Sequence, residues 1–240
     1  MPANKSFKYA AKGVSIITCT KRAEYIHNLF ANYARQRWSR KELIVIINND
    51  RIKIDPYREM ARKYKNVSVY RLPGKVTLGS CMNFGVAKAK YGYIAKFDDD
   101  DFYSPRYLPE SIRLMRRKKA DLIGKRAHYV WLSGNRVLIL RFPREEHKFV
   151  KILPGATLIF KKSVCNRVRF HNVNVGEDDQ FCRDSKAKGY KIYSGGRFNF
   201  AAFRRKHSRN HTWIISEKTL LSSDVRVVRG VKNYKRYVTR

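Results

Sequence analysis

The chain has 240 residues, 43% of them hydrophobic, enough for one sizeable domain or two small ones and too apolar for wholesale disorder. Its 53 lysines and arginines against 19 acids give a formal charge of +34, which calls for an anionic partner: nucleic acid, an anionic polymer, an acidic surface or a phosphorylated substrate. Cys19, Cys81, Cys165 and Cys182 form no CxxC pair and no zinc spacing, and no apolar run suits a signal peptide or a transmembrane helix, so a cytoplasmic protein is expected.

Val14–Cys19 reads as a first strand, ending at Thr20-Lys21-Arg22, and Glu24 to Trp38 as a helix with Ile26, Leu29, Phe30 and Tyr33 on one side. Glu42–Ile47 is nearly all apolar, as buried parallel strands are, and stops at the polar Asn48-Asn49-Asp50. Pro56–Tyr64 predicts a second helix, Val67–Arg71 a third strand, and Ser80–Ala89 a third helix with Ser80 as its cap. The strand from Tyr93 runs into Asp98-Asp99-Asp100-Asp101. This β-α-β-α-β-α-β order predicts a parallel sheet with helices on both faces.

Beyond Pro105, Tyr107–Lys119 predicts a helix whose basic run, Arg113 to Lys119, is a solvated face by default. Asp121 to Leu140 predicts strands around a Ser133-Gly134-Asn135 turn, and Gly155–Phe160 another strand. Gly176 to Gly189 contains a helix that Gly189 stops, and Lys191–Phe203 reads as strand, turn, strand. From Glu217 the chain is basic and less patterned: one helix, then a mobile end.

Four carboxylates at one strand end repel each other and call for a cation. Hard divalent ions such as Mg²⁺ or Mn²⁺ take such oxygens, with few protein ligands and with substrate phosphates completing the shell. Ligands of open α/β sheets bind at the carboxyl ends of strands, where Thr18 to Arg22, Asn48 to Asp50 and Asp98 to Asp101 converge. No GxGxxG and no P-loop motif is present. A second acidic run, Glu177-Asp178-Asp179 after Gly176, is either favourable chemistry for a helix start or a general base for a hydroxyl. A third cluster, Arg204 to Trp213, places His207 and His211 among cations that could grip a diphosphate or complete a metal site. Trp213 covers a sugar face or is core.

These motifs, in this order, resemble the family 2 glycosyltransferases of GT-A fold over roughly residues 13–215. Phe97 to Asp101 matches the family's DxD position, and Gly176 to Phe181 its catalytic-base segment. The resemblance implies a Rossmann-like, mostly parallel α/β sheet with helices on both faces and a mixed C-terminal half. It implies inverting transfer of a sugar from a nucleoside diphosphate, UDP in the first instance, to a hydroxyl acceptor that the basic charge suggests is anionic. Carried over by position, Thr18, Thr20 and Arg22 line the nucleotide site with Asp99, Asn48, Asn49 and Asp50 meet the base with Asn83 nearby, and Asp98 lies near the ribose. Asp100, with His211, holds Mg²⁺ or Mn²⁺. Asp178 is the base, Glu177 supports it, and Trp213 and His207 contact acceptor or diphosphate. The chain departs from the family pattern at Asn48 and Asn49, where acids are usual, and at Met82, where Arg is usual.

The expected layout is an extension over residues 1–12, the GT-A domain over 13–215 and a basic tail over 216–240. Two other readings use the same features. A nucleic-acid- or anionic-polymer-binding protein would follow from the charge alone, and a metal-dependent sugar nucleotidyltransferase would use the same acids on a triphosphate. The charge also suggests a peripheral location on an anionic surface.

Overall fold

The structure is a computed structural model, and it describes residues 13–205, 217–221 and 224–240. Four strands, Val14–Thr20 (β1), Lys41–Ile47 (β2), Val67–Arg71 (β3) and Tyr93–Lys96 (β4), lie parallel in the order β3-β2-β1-β4. The helices Ile26–Arg35 (α1), Asp55–Arg62 (α2) and Leu78–Lys88 (α3) make the crossovers. Alternation along the strands divides the core between the two faces. Val14, Ile16, Leu43, Val45 and Ile47 meet Phe30, Tyr33 and Tyr57 of α1 and α2, while Ile17, Ile44 and Ile46 meet Cys81, Met82 and Val86 of α3.

After Phe102–Tyr103 (β5) and the helix Tyr107–Arg117 (α4), the chain returns to this sheet through Leu122–Gly124 (β6), Ile159–Lys161 (β10), Ile192–Ser194 (β11) and Lys148–Phe149 (β9). The full order is β3-β2-β1-β4-β10-β6-β11-β9, and β10 runs antiparallel to both its neighbours. Helix Glu177–Ala187 (α5) packs Phe181 and Cys182 on the α3 face. A second sheet joins β5 to His128–Leu132 (β7), Val137–Arg141 (β8), Phe200–Arg204 (β12) and Val225–Val228 (β13), in the order β13-β8-β7-β12-β5. Two short helices, Glu217–Leu221 (α6) and Tyr234–Val238 (α7), complete the chain.

Several predicted elements differ in detail. The first helix begins as a 3₁₀ turn over Ala23–Tyr25 and ends at Arg35, because Gln36 turns extended and spends its side-chain amide on the carbonyl of Ser104. Trp38 therefore lies beyond it. The third helix is capped by Thr77, whose Oγ1 accepts from the Ser80 amide at 3.3 Å, and not by Ser80 itself. Residues 155–157 form a 3₁₀ turn ahead of β10. The predicted mobile end is instead ordered over 224–240. There β13 pairs with β8, Val238 is fully buried, and Tyr234 stacks on Trp131 with ring centroids 5.1 Å apart.

Candidate active site

The four consecutive aspartates do not act as one cluster, because each carboxylate has its own surroundings. Asp99 is buried and accepts a hydrogen bond from Thr20 Oγ1 at 2.6 Å and an ion pair from the guanidinium of Arg22. Burial still pushes its carboxyl up to about 6, against the pull of Arg22 and with Asp100 adding to the rise. Asp101 is buried too, and its Oδ1 accepts from the Phe203 amide at 2.9 Å, which ties the loop to β12. Burial raises its pKa well above the usual carboxylate range.

Asp98 and Asp100 are the members with other partners. Asp100 receives Arg22 Nη1 at 2.8 Å and Arg205 Nη2 at 3.7 Å. Asp98 pairs with the buried ammonium of Lys96, the one charged side chain in β4. Burial alone would lower the Lys96 pKa, but Asp98 and Glu177 outweigh it and raise it.

Helix α1 fixes this loop from below. Asn28 Nδ2 donates to the carbonyls of Asp99 and Asp101 at 2.7 and 2.9 Å, and the buried Asn32 donates to that of Asp101 at 2.8 Å. The two asparagines sit four residues apart, on one helix face, which is why both reach the same turn.

The second acidic run joins the same cleft through the 3₁₀ turn at 155–157. The Asp98 amide donates to Tyr103 Oη at 2.9 Å, and that hydroxyl donates to the Ala156 carbonyl at 2.6 Å. The neighbouring Gly155 amide donates to Asp178 Oδ2 at 2.6 Å, while Asp178 Oδ1 accepts from the Asp179 amide at 2.9 Å. Only glycine serves at 155, since a Cβ there would stand 2.6 Å from Asp178 Oδ2. Glu177, 4% exposed, lies where Lys96 and Asp98 both act on it. Burial pushes its carboxyl up to about 7, with Lys96 opposing and Asp178 reinforcing.

The segment before α5 is clasped to the start of α3. Asn172 Oδ1 accepts from Thr77 Oγ1 and Ser80 Oγ at 2.6 and 2.7 Å, Asn174 Oδ1 from the Leu78 amide at 3.0 Å, and the Val173 carbonyl from the Gly79 amide at 3.1 Å. A Cβ on Gly79 would lie 1.8 Å from the carbonyl oxygen of His171, so backbone must move to admit it. Gly79→Ala is expected to cost about 1–3 kcal/mol in urea unfolding, and to lower activity beyond that loss by displacing Glu177 and Asp178.

Other predicted contact residues also take part in the fold. Asn48 gives both amide protons to the carbonyls of Pro73 and Val76, so it shapes that loop. Asn83 exchanges two hydrogen bonds with the backbone of Phe170, at 2.8 and 3.1 Å, which fixes its side chain against the segment that leads to α5. Asn49 donates to the Lys21 carbonyl, Asp50 accepts from the Gly74 amide, and Thr18 is buried in β1. His207, His211 and Trp213 lie outside the described residues. Sequence reasoning missed Lys96, Asn28, Asn32, Tyr103 and Gly155. A lysine inside an apolar strand and an i,i+4 asparagine pair on an otherwise apolar helix face were the available signals.

Among the described residues no three His, Cys, Asp or Glu side chains gather to hold a metal. The donor set still fits a hard divalent ion, since Asp98 and Asp100 offer carboxylate oxygens and such ions commonly take few protein ligands. No helix among the described residues is long and apolar enough to cross a membrane.

Comparison with known proteins bears on this site. Residues 15–175, more than half of the chain, match the sequence model of Glycosyl transferase family 2. The match stops just before Glu177. An O-antigen biosynthesis glycosyltransferase, WbnJ of Escherichia coli, is 28% identical over 171 residues, which cover 65% of this chain and 64% of that protein. Among solved structures, S. aureus TarS 1-349 in complex with UDP-GlcNAc has a TM-score of 0.67 at 17% identity, over 85% of this chain and 62% of that one. The mannosyltransferase PcManGT from Pyrobaculum calidifontis, in complex with GDP-Man and Mn²⁺, has a TM-score of 0.64 at 13% identity, over 84% and 59% of the two chains. The chain thus spans less than two thirds of the length of each of these relatives. At such identities the two structural likenesses bear on the fold, which is the GT-A type.

Proposed function

We propose, for a chain that belongs to glycosyl transferase family 2 and is therefore a glycosyltransferase, that this cleft moves a sugar from a nucleoside-diphosphate donor to a hydroxyl acceptor with inversion. The observation that carries the reading is the unbroken run from Asp98 through Tyr103 Oη to Ala156, and from the adjacent Gly155 to Asp178. It links the backbone of the strand-end Asp98 to the carboxylate of the helix-start Asp178, and the Lys96 ammonium, paired with Asp98, also feels Glu177 and Asp178.

The acceptor hydroxyl oxygen forms the new bond to the anomeric carbon while the bond from that carbon to the diphosphate oxygen breaks. The electron pair leaves with the diphosphate, and the hydroxyl proton passes to the Asp178 carboxylate. Gly155 and Asp179 amides aim that carboxylate, so it needs no reorganisation as the proton arrives. Displacement on the face opposite the leaving group inverts the centre. On the donor side, Arg22 and Arg205 stand beside Asp100 and can reach phosphate oxygens. Asp100, with Asp98, would hold a divalent ion, which would supply further stabilisation of diphosphate charge. Mg²⁺ and Mn²⁺ both suit these oxygens, and UDP is the first nucleotide to test.

UDP with Mn²⁺ is expected to raise the melting temperature. Saturation at about 100 times Kd is worth about 2.7 kcal/mol, several degrees for a chain of this size. Asp100→Ala is expected to abolish the shift. A shift that persists in EDTA would overturn the role given to the carboxylates, and a screen of nucleotide sugars for hydrolysis identifies the donor.

A further inference from the structure

A second basic centre is built around Phe142, just past the end of β8. The guanidinium carbon of Arg126 sits 3.9 Å from the ring centroid of Phe142, and that of Arg141 sits 4.8 Å from the same centroid. All three side chains are half-buried. Phe142 holds a left-handed backbone, φ 49°, which a bulky residue adopts only under constraint. Its amide donates to the Asp224 carbonyl at 2.8 Å, and its carbonyl accepts from Glu145 at 2.9 Å, so the fold enforces that conformation. The effect is to hold two like charges on one ring. Burial, then the charge of Arg126 and that of Arg204 at the end of β12, bring Arg141 down to about 10.

The position of this centre relative to the base is set by backbone contacts. The Lys125 amide donates to Thr157 Oγ1 at 3.0 Å and the Arg126 amide to Ser194 Oγ at 2.9 Å. Thr157 closes the same turn whose Gly155 holds Asp178. The charge of Arg126 is also felt at Asp179, the residue after the proposed base. In the reading above the donor diphosphate is met by Arg22 and Arg205, which are engaged at Asp100. Paired guanidiniums are suited to oxyanions, which they bind through two parallel N–H groups.

We propose that Arg126 and Arg141, stacked on Phe142, bind an oxyanion of the acceptor, so that the substrate receiving the sugar carries a phosphate or carboxylate near its reacting hydroxyl. The proposal rests on the glycosyltransfer reading for the word acceptor, and it accounts for part of the +34 charge that the chemistry at Asp178 does not require.

The test is titration of the full chain with glucose 6-phosphate, glucuronate and glucose at physiological salt, followed by calorimetry. Glucose 6-phosphate or glucuronate is expected to bind and glucose not, and whichever anion binds identifies the oxyanion. Arg126→Gln and Arg141→Gln are each expected to weaken that binding at least about tenfold, while Arg113→Gln on the exposed face of α4 leaves it unchanged. Saturating UDP is expected not to displace the ligand. No anion binding by the wild type, equal weakening by Arg113→Gln, or displacement by UDP would each overturn the proposal. Should Arg141→Gln fail to fold, Arg126→Gln decides the matter alone. The UDP and Mn²⁺ melting shift on the same sample keeps the two readings apart. Its presence without anion binding sinks only this inference, and the absence of a shift with UDP and with every other nucleoside diphosphate screened sinks the donor chemistry.

Discussion

Asp178→Asn is expected to lower kcat by about 10²–10⁴-fold while leaving the UDP-dependent melting shift intact. The reasoning begins with geometry. Asn keeps the shape, and its carbonyl oxygen can still accept the Gly155 amide proton that Asp178 Oδ2 takes at 2.6 Å. What it loses is the capacity to receive the acceptor proton. The donor half of the cleft, at Asp98 and Asp100, is reached through Tyr103 and Ala156 and does not depend on the charge of Asp178. A kcat loss with unchanged nucleotide binding is therefore the signature of a base. A parallel loss of both would mean that Asp178 holds the cleft together and that the proton goes elsewhere. The buried Glu177, at about 7, is then the next candidate.

How far the sequence could be read depended on whether the relevant force was local. The front half was legible because β1 and β2 are predominantly apolar and their alternate residues feed two faces, and because helices of the right length separate them. The direction of β10 was not legible. A short strand, Ile159-Phe160-Lys161, carries no sign of whether it pairs parallel or antiparallel, and that depends on the 155–157 turn before it. The ordered end escaped for a related reason. Val225–Val228 pairs with a strand some eighty residues earlier, so no short window contains both partners. In the site, the acidic residues were visible as scarce anions in a cationic chain, yet their division of labour was not. Consecutive positions on the loop point different ways, so Asp99 and Asp101 are consumed by Arg22, Thr20 and the Phe203 amide. The sequence offers Asn48 and Asn83 as ligand contacts but carries no sign that each also anchors backbone, at Pro73 and at Phe170.

Lys96→Met is expected to destabilise the chain by about 3 kcal/mol at pH 8, because it removes one partner of a buried pair and leaves acids uncompensated. Asp98 is about a third exposed, and solvent screens part of its loss. Glu177 is 4% exposed and has no such relief. The direction with pH follows from its titration. Burial raises the folded-state carboxyl of Glu177 from 4.5 to about 7, so between those values the folded chain binds more protons than the unfolded one. Stability therefore falls as pH rises through that window, by an amount on the order of 3 kcal/mol for a shift of this size. Lys96 opposes the rise, so deleting its charge moves the folded pKa of Glu177 further up and extends the loss above pH 7. The deficit of Lys96→Met against wild type, measured by urea unfolding, should consequently be larger at pH 8 than at pH 5. Adding Glu177→Gln should recover much of the pH 8 deficit, since no charge then remains to be buried at that position. A deficit equal at both pH values would place the effect of Lys96 in packing of its aliphatic stem instead, and would remove the electrostatic link between the two acidic halves of the cleft.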